Sequence, residues 1–408
     1  MFYLGIDQHR KHLTVSLRDE RGDVVLRRQV STEWDRVMQF FEQLVELTHG
    51  DGGFLAIVEV CGFNGWLMEM LAEYGCRQTI VVQPEIRATK KTDRRDAGQL
   101  SQLLWVNRER LLAGKPVQGL RRVWLPSPED AANRQLTALR KRLGDFRTRT
   151  LNKVQRLLLK HNLQQECPVK RIQTKAAREW LRELDLDGTD RLELNLLLRQ
   201  WELWDEQMKS LEERIEQRQA SNPVAQIVAT VPGMQAYSSL AVASRMGSID
   251  KFPRPGSLAN YWGLTPGCRN SGDVTNRLGS ITKQGSVLVR FILGQAILHV
   301  LRRDPQMKAW FLRIKKRRGA KIARVAAMRR LATILWHMVK HQQPYQIGRM
   351  MKSSLPARQN PTLPTAKPKG PGGDAAPESP GFSQAWREQK NEKNTGGKAA
   401  PAARAARA

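Results

Sequence analysis

The stretch Lys90-Lys91-Thr92-Asp93-Arg94-Arg95-Asp96-Ala97 sets two carboxylates three residues apart among four basic side chains. On a helix that starts here, Asp93 and Asp96 share one face. Two acids on one face offer hard oxygen ligands of the kind Mg²⁺ accepts when substrate phosphates complete its shell. The lysines and arginines around them would attract a polyanion. Acid at the centre with base at the rim is the electrostatics of metal-assisted phosphodiester chemistry. The same residues also fit an ordinary helix start, with Asp93 near the N-cap and the rest a solvated surface. Further acids must join the pair before it becomes a site.

The elements upstream supply candidates. Residues 2–7 read as a buried strand ending in Asp7. Leu13-Thr14-Val15-Ser16-Leu17 alternates, Glu20-Arg21-Gly22-Asp23 turns, and Val24-Val25-Leu26 begins a third strand. Thr32 and Asp35 mark a helix start, followed by a stripe of Val37, Phe40, Phe41, Leu44, Val45 and Leu47 that ends at Gly50-Asp51-Gly52-Gly53. Phe54 to Glu59 is another buried strand that closes on a carboxylate. Asn64 is placed to cap a helix closing at Gly75, and Thr79-Ile80-Val81-Val82 is a fifth strand. Three strands, helix, strand, helix, strand, helix is the order expected of the ribonuclease H-like fold. Its active site uses the ends of the first and fourth strands and a following helix. Asp7, Glu59, Asp93 and Asp96 fall at those places. One acid closing a buried strand means little, but four at the strand ends and one helix face form a set.

A chain of 408 residues suggests two or three domains, and its 40% hydrophobic content is enough for real cores. Lys+Arg number 68 against 39 Asp+Glu, a net charge of +29 that calls for a polyanionic partner, nucleic acid first. No apolar run reaches membrane-spanning length, and the N-terminus opens on a strand rather than a leader, so the expected compartment is the cytoplasm, with no membrane partner. Cys61, Cys76, Cys167 and Cys268 are scattered without a CxxC pair, which argues against a zinc site or a disulfide framework. Cys61 and Cys76 read as small core residues.

Residues 129–220 are charged and heptad-like. Leu136, Leu139, Leu143, Phe146, Val154 and Leu157 make one stripe; Leu197, Trp201, Trp204, Met208, Leu211 and Ile215 make a second. With a break near Pro168 and Gly188, this predicts two long helices in a coiled-coil arm, its tryptophans packed inward. Its Arg140, Lys141, Arg142, Arg147, Arg149, Lys153 and Arg156 offer a face to nucleic acid. The next segment opens at Ile227 and reaches Val231-Pro232-Gly233-Met234, which fits either a phosphate-gripping hairpin between helices or a plain Pro-Gly turn. Tyr261 to Gly272 reads as a loop with a hydroxyl, Ser271, beside glycine. Gly279 to Gly285 leads into a helix from about Ser286, and Lys315-Lys316-Arg317-Arg318 with Lys321 and Arg324 is a phosphate-contacting surface. Beyond Gln346 the composition predicts a disordered basic tail.

Taken together, Gly5-Ile6-Asp7, Val58-Glu59, Thr92 to Ala97, Val231-Pro232-Gly233, Gly263-Leu264-Thr265-Pro266, Ser271-Gly272 and Ile281 to Gly285 resemble the transposases of the insertion-sequence-110 group, and Piv-type DNA invertases look similar. The resemblance covers residues 1–345. It departs at Asp273-Val274-Thr275-Asn276, where the group often has a second glycine and a lysine; Ser280 is the alternative serine. The resemblance implies an α/β ribonuclease H-like (RuvC-like) DEDD catalytic domain over 1–125. A coiled-coil helical arm over 126–221 and a mostly α transposase domain with a serine loop over 222–345 follow, and the tail is 346–408. It implies a recombinase in which Asp7, Glu59, Asp93 and Asp96 bind Mg²⁺, or Mn²⁺ in its place, and Ser271 attacks phosphorus. Its implied partners are double-stranded DNA, a structured non-coding RNA and further copies of the chain in a homodimer or tetramer. Two other readings stay open: a metal-dependent nuclease that uses water, and a non-catalytic nucleic-acid scaffold.

Overall fold

The protein is described here from a computed structural model covering residues 1–50, 52–83, 93–115, 117, 120–268 and 278–348; the side chains of 93–95, 121, 268 and 278 lie outside that description. The N-terminal region is built from β1 (Phe2–Gln8), β2 (His12–Arg18), β3 (Val24–Ser31), α1 (Trp34–Thr48), β4 (Phe54–Glu59), α2 (Gly65–Glu73), β5 (Gln78–Gln83), α3 (Asp93–Val106), α4 (Arg108–Leu112) and β6 (Arg121–Val123). The six strands form one mixed sheet in the order β3-β2-β1-β4-β5-β6. β1, β4 and β5 run parallel, while β2, β3 and β6 are antiparallel to their neighbours. The expected element order is present. α4 and the short edge strand β6 are additions, too brief to leave a periodic signal.

β1 lies inside the sheet and is buried along its whole length. Its alternation therefore separates two cores instead of core from solvent. Phe2, Leu4 and Ile6 join Leu13, Val15 and Leu17 of β2 under α1 and α2. Tyr3 points the other way, with Leu55, Ile57, Ile80 and Val82, into a core closed by Leu100 and Leu104 of α3. On α1 the residues Val37, Phe40, Phe41 and Leu44 are buried as expected. Leu47 is a correction: it is exposed, because it falls off the stripe that the sheet covers. Cys61 and Cys76 are half-buried free thiols; Cys76 packs against the core under α1 and α2, as expected, and burial pushes its thiol up from its ordinary pKa, whereas Cys61 is not part of that core.

The contact that seats α3 is made by backbone. A Cβ placed on Gly5 would lie 2.4 Å from both the Ala97 carbonyl oxygen and the Ser101 amide nitrogen. Only glycine on the strand, with small residues one turn apart on the helix, allows this approach. The buried Ser101 hydroxyl lies 3.0 Å from that of Ser16, which pairs with Gly5 across the sheet.

Next come two helices of 33 residues, α5 (Pro128–Lys160) and α7 (Gly188–Ala220), with α6 (Lys175–Glu183) between them. α5 starts on a Ser127 cap that accepts from the Asp130 amide at 3.1 Å, with proline in its first turn. Leu151, Val154, Leu157 and Leu158 of α5 pack on Leu194, Leu197, Leu198 and Trp201 of α7 and on Leu181 of α6. Leu139 and Phe146 depart from the expected stripe: each is 38% exposed, and Phe146 stacks obliquely on Trp204. The basic face of α5 is also partly neutralised. Arg140 pairs with Glu212, Lys141 with Asp145, and Arg147 with Asp205.

The remaining elements are α8 (Pro223–Ala229), α9 (Ala236–Met246), α10 (Pro255–Tyr261), β7 (Pro266–Cys268), β8 (Leu278–Ile281), α11 (Val287–Arg303), α12 (Pro305–Arg318) and α13 (Ala320–Lys340). Their core includes Trp262, Leu293, Leu331 and Leu335. α11 starts where expected, on a Ser286 side chain that accepts from the Val289 amide. The segment from Tyr261 is not all loop, since Pro266–Cys268 pairs antiparallel with Leu278–Ile281. Residues 84–92 and the predicted tail from 349 onward lie outside the described residues.

Gly5→Ala should cost about 1–3 kcal/mol or more, because the added methyl meets helix backbone that cannot rotate aside. A lowered urea midpoint with an unchanged m-value would bear this out; an unchanged midpoint would show that α3 is not seated through this contact.

Candidate active site

Two of the predicted acids sit on adjacent strands at one level. The parallel register of β1 and β4 runs from Phe2↔Phe54 to Ile6↔Val58, and the next residues along are Asp7 and Glu59. Side chains alternate along a strand, so Asp7 follows Tyr3 and Gly5 while Glu59 follows Leu55 and Ile57. Tyr3, Leu55 and Ile57 all belong to the core under α3. Both carboxylates therefore lie on the α3 side of the sheet.

The direction of α3 brings its start to the same end. Ala97 and Ser101 face Gly5. Further toward the beginning of β1, Arg18, across from Tyr3, donates to Ser101 Oγ at 3.1 Å. Beyond it, Trp105 Nε1 donates to the Glu20 carbonyl at 3.1 Å, and the Trp105 ring covers Gly22. The helix thus runs antiparallel to β1, its later residues over the strand's beginning. From Gly5 to Asp7 the strand advances about 6.6 Å. From Ala97 back to Asp93 the helix retreats about 6 Å. The first turn of α3, with Asp93 and Asp96, is therefore level with Asp7 and Glu59. The Asp96 side chain is half-buried; that of Asp93 lies outside the described residues. A helix N-terminus at this edge adds positive potential, which suits both carboxylates and a phosphate.

Asp7 is only 8% exposed and lies 3.0 Å from His9 Nε2 through its Oδ2. Across the sheet from Asp7 stands Thr14, whose buried Oγ1 has no hydrogen-bond partner among the described residues. Among the described residues no three His, Cys, Asp or Glu side chains group as metal ligands. Asp7, Glu59 and Asp96 are among those residues and do not by themselves form such a group; the Asp93 side chain lies outside the described residues.

The loop after β4 is fixed by a residue the sequence pointed to for another reason. Asn64 precedes α2 but makes no side-chain cap. Its Nδ2 donates to Gln8 Oε1 at 2.7 Å and to the Glu59 carbonyl at 3.1 Å, and its Oδ1 accepts from the Cys61 amide. Gln8 Nε2 in turn donates to the Phe63 carbonyl at 3.2 Å. This clamp locks the strand ends bearing Asp7 and Glu59 to each other. Nothing in the local sequence distinguishes such an asparagine from a cap.

The candidate nucleophile, Ser271, lies outside the described residues. The residues that flank its segment are described. Cys268 of β7 pairs with Leu278 of β8, so the chain leaves and re-enters at one ribbon end. Ser280, the alternative serine, is an exposed residue of β8. The ribbon rests on two glycines. A Cβ on Gly263 would meet the Gln284 backbone at 2.2 Å, and one on Gly285 the Tyr261 carbonyl at 2.0 Å.

Comparison with known proteins covers both regions. Residues 4–163 match the family model described as "Transposase" of the DEDD IS110 type, and residues 225–311 match the "Transposase IS116/IS110/IS902 family". Together the two models take in more than half of the chain. The chain belongs to the IS110 family of transposases. It is 27% identical over 362 residues to the "Transposase for insertion sequence element IS1111A" of Coxiella burnetii, covering 85% of this chain and 91% of that one. It is 26% identical over 359 residues to a "Probable family 20 transposase" of Pseudomonas aeruginosa, covering 85% and 98%. The first matched region of this IS110-family chain holds Asp7, Glu59, Asp93 and Asp96; the second holds Ser271.

Basic surface lies outside the acid edge as well. Lys315, Lys316, Arg317 and Arg318 end α12, and Lys321 and Arg324 follow on α13, all exposed. Val231-Pro232-Gly233 turns between α8 and α9, with Gly233 at φ 84° packed on His299, and borders a cavity lined also by Arg303 and Tyr345. No helix among the described residues is long and apolar enough to cross a membrane.

Asn64→Ala should cost about 1–3 kcal/mol, since it strands buried polar groups of Gln8 and Cys61. It should also speed amide exchange at Cys61 and its neighbours; unchanged protection there would show that the clamp holds nothing.

Proposed function

We propose that this chain is a DNA transposase whose N-terminal region, a ribonuclease H-like (RuvC-like) DEDD domain, cuts and rejoins DNA together with Ser271. The reading is supported by the sheet order β3-β2-β1-β4-β5, in which β2 alone is reversed, and by Asp7 and Glu59 ending adjacent strands on the face that α3 covers. That last juxtaposition carries the proposal.

The donor set fits a hard divalent cation: carboxylates from Asp7, Glu59, Asp93 and Asp96, with the buried Thr14 hydroxyl across the sheet from Asp7. Mg²⁺, or Mn²⁺ in its place, would be held by the four acids and would supply Lewis-acid stabilisation of charge on the phosphate. His9 orients the Asp7 carboxylate, and the Asn64 clamp keeps the two strand ends in register. The start of α3 turns amide groups and positive potential toward the phosphate.

The Ser271 hydroxyl attacks phosphorus. A P–Oγ bond forms, one P–O bond of the DNA strand breaks, and the leaving oxygen takes a proton to become a terminal hydroxyl. Attack by the hydroxyl of another strand on the phosphoserine reverses these changes and joins the strands, so the phosphodiester is conserved. Double-stranded DNA is the substrate. A structured non-coding RNA that pairs with it would supply the sequence information, leaving the protein to hold shape and charge. Ser271 and the acids come from different regions, so the site is suited to completion between subunits of a dimer or tetramer. The helices α5 and α7, as a coiled-coil arm over 126–221, would carry residues 222–345 relative to 1–125.

The test is recombination of a donor and a target plasmid. Asp96→Asn should lower recombinant yield at least a hundredfold while DNA binding stays within about twofold. Ser271→Ala should abolish the covalent protein–DNA adduct seen on denaturing gels. Adducts that persist in Ser271→Ala would move the nucleophile elsewhere. Hydrolysed ends without any adduct in the parent protein would make water the nucleophile. Full activity of Asp96→Asn would remove the acid set from the chemistry.

A further inference from the structure

A second feature sits beside the acid edge. His9, Arg10, Thr32, Trp34, Phe63 and Trp66 enclose an open cavity of about 210 Å³. Three large aromatic rings line it, and two are far from buried: Trp34 is 58% exposed and Phe63 48%. Trp34 meets Trp66 edge to face, with centroids 5.6 Å apart. Single exposed apolar residues need no explanation, but several gathered around one concavity mark a ligand site. The wall is rigid. The Thr32 hydroxyl donates to the Arg10 carbonyl at 3.3 Å, its amide donates to the Lys11 carbonyl at 3.1 Å, and the Phe63 carbonyl is held by Gln8. The side chain that joins this cavity to the acids is His9, which lies 3.0 Å from Asp7.

The chemistry of the lining selects the ligand. Flat aromatic faces beside an exposed guanidinium suit a planar ring carrying a phosphate, which is a nucleotide. Bases stacked inside a duplex present only their edges, so a face-on site needs a base that has left the stack. An apolar peptide side chain would fill the cavity as well but would leave Arg10 and the adjoining acid edge without a role.

We propose that this cavity takes one unstacked nucleobase of the DNA strand whose phosphate lies at Asp7. The base packs on the rings of Trp34, Phe63 and Trp66, and Arg10 holds a neighbouring phosphate. The position of the scissile phosphate rests on the active-site reading above; the base site itself does not. Its effect is to anchor the strand beside the cut.

The test uses the full chain and a single-stranded 20-mer carrying 5-iodo-2′-deoxyuridine, irradiated and mapped by mass spectrometry. Crosslinks should fall in peptides that contain Trp34, Phe63 or Trp66. Trp34→Ala combined with Phe63→Ala should weaken binding of the single strand by between about fivefold and 150-fold, the range one lost stacking contact gives. Binding of a fully paired duplex should change less than twofold, and Trp34→Phe should restore most of the single-strand affinity. Crosslinks only elsewhere, or equal losses on single strand and duplex, would overturn the proposal. Asp7→Asn separates the two readings: it should end strand cleavage and leave the crosslink in place. If Asp7→Asn still cleaves, the catalytic reading fails and the crosslink decides the base site by itself.

Discussion

The arrangement of the N-terminal region depends on one close approach, that of α3 to β1 at Gly5. Helix backbone lies where a side chain would otherwise stand. Such a contact fixes the helix in height and rotation more tightly than interleaved side chains do, because backbone has no rotamers to yield. With Ala97 and Ser101 held against Gly5, the first turn of α3 has one place to go, beside the ends of β1 and β4. The Ser16–Ser101 contact and the Arg18 bond to Ser101 fill the polar needs of this tight seam. A leucine at position 101 would have offered more apolar area and less proximity.

Charge is managed differently in different parts of the molecule. A net +29 is not spread as free cation. Asp205 meets both Arg147 and Arg178, which also lie over the Trp201 ring, so the inner face of the α5–α7 pair is internally balanced. The end of α12 and the start of α13 carry exposed lysines and arginines instead. At the acid edge the order inverts: a carboxylate 8% exposed sits at the sheet's centre, with a histidine beside it and a helix N-terminus level with it. Burying a carboxylate is expensive unless its surroundings stabilise it. At Asp7 that stabilisation comes from His9 beside it.

Much of this was legible in residue order. The strands and helices of the first 106 residues follow from alternation, stripes and breakers, and Ser286 announces α11 as a cap should. The strand-end positions of Asp7 and Glu59 could be read directly. The misses have physical causes. Leu47 and Leu139 fit their helical stripes by spacing but are exposed, and Phe146 stays partly exposed against Trp204, because periodicity counts positions and cannot know where the partner surface stops. Asn64 fits a cap, but its Oδ1, the atom a cap would use, accepts from the Cys61 amide, and its Nδ2 ties Gln8 to Glu59. β6, β7 and β8 are three or four residues long, too short for a pattern, and exist because a neighbouring strand supplies their hydrogen bonds.

By itself, then, the sequence determined the identity and order of the main elements up to α3, the excess of positive charge, and the motifs shared with the IS110 transposases. These are local or additive properties, fixed by each residue and its near neighbours. Tertiary structure alone decided which strands are adjacent, that Asp7 and Glu59 share a face, which way α3 runs, and that Trp34, Phe63 and Trp66 gather beside His9. Those are distances between residues far apart in the chain, and they follow from how two cores pack on one sheet, which no stretch of residues encodes alone.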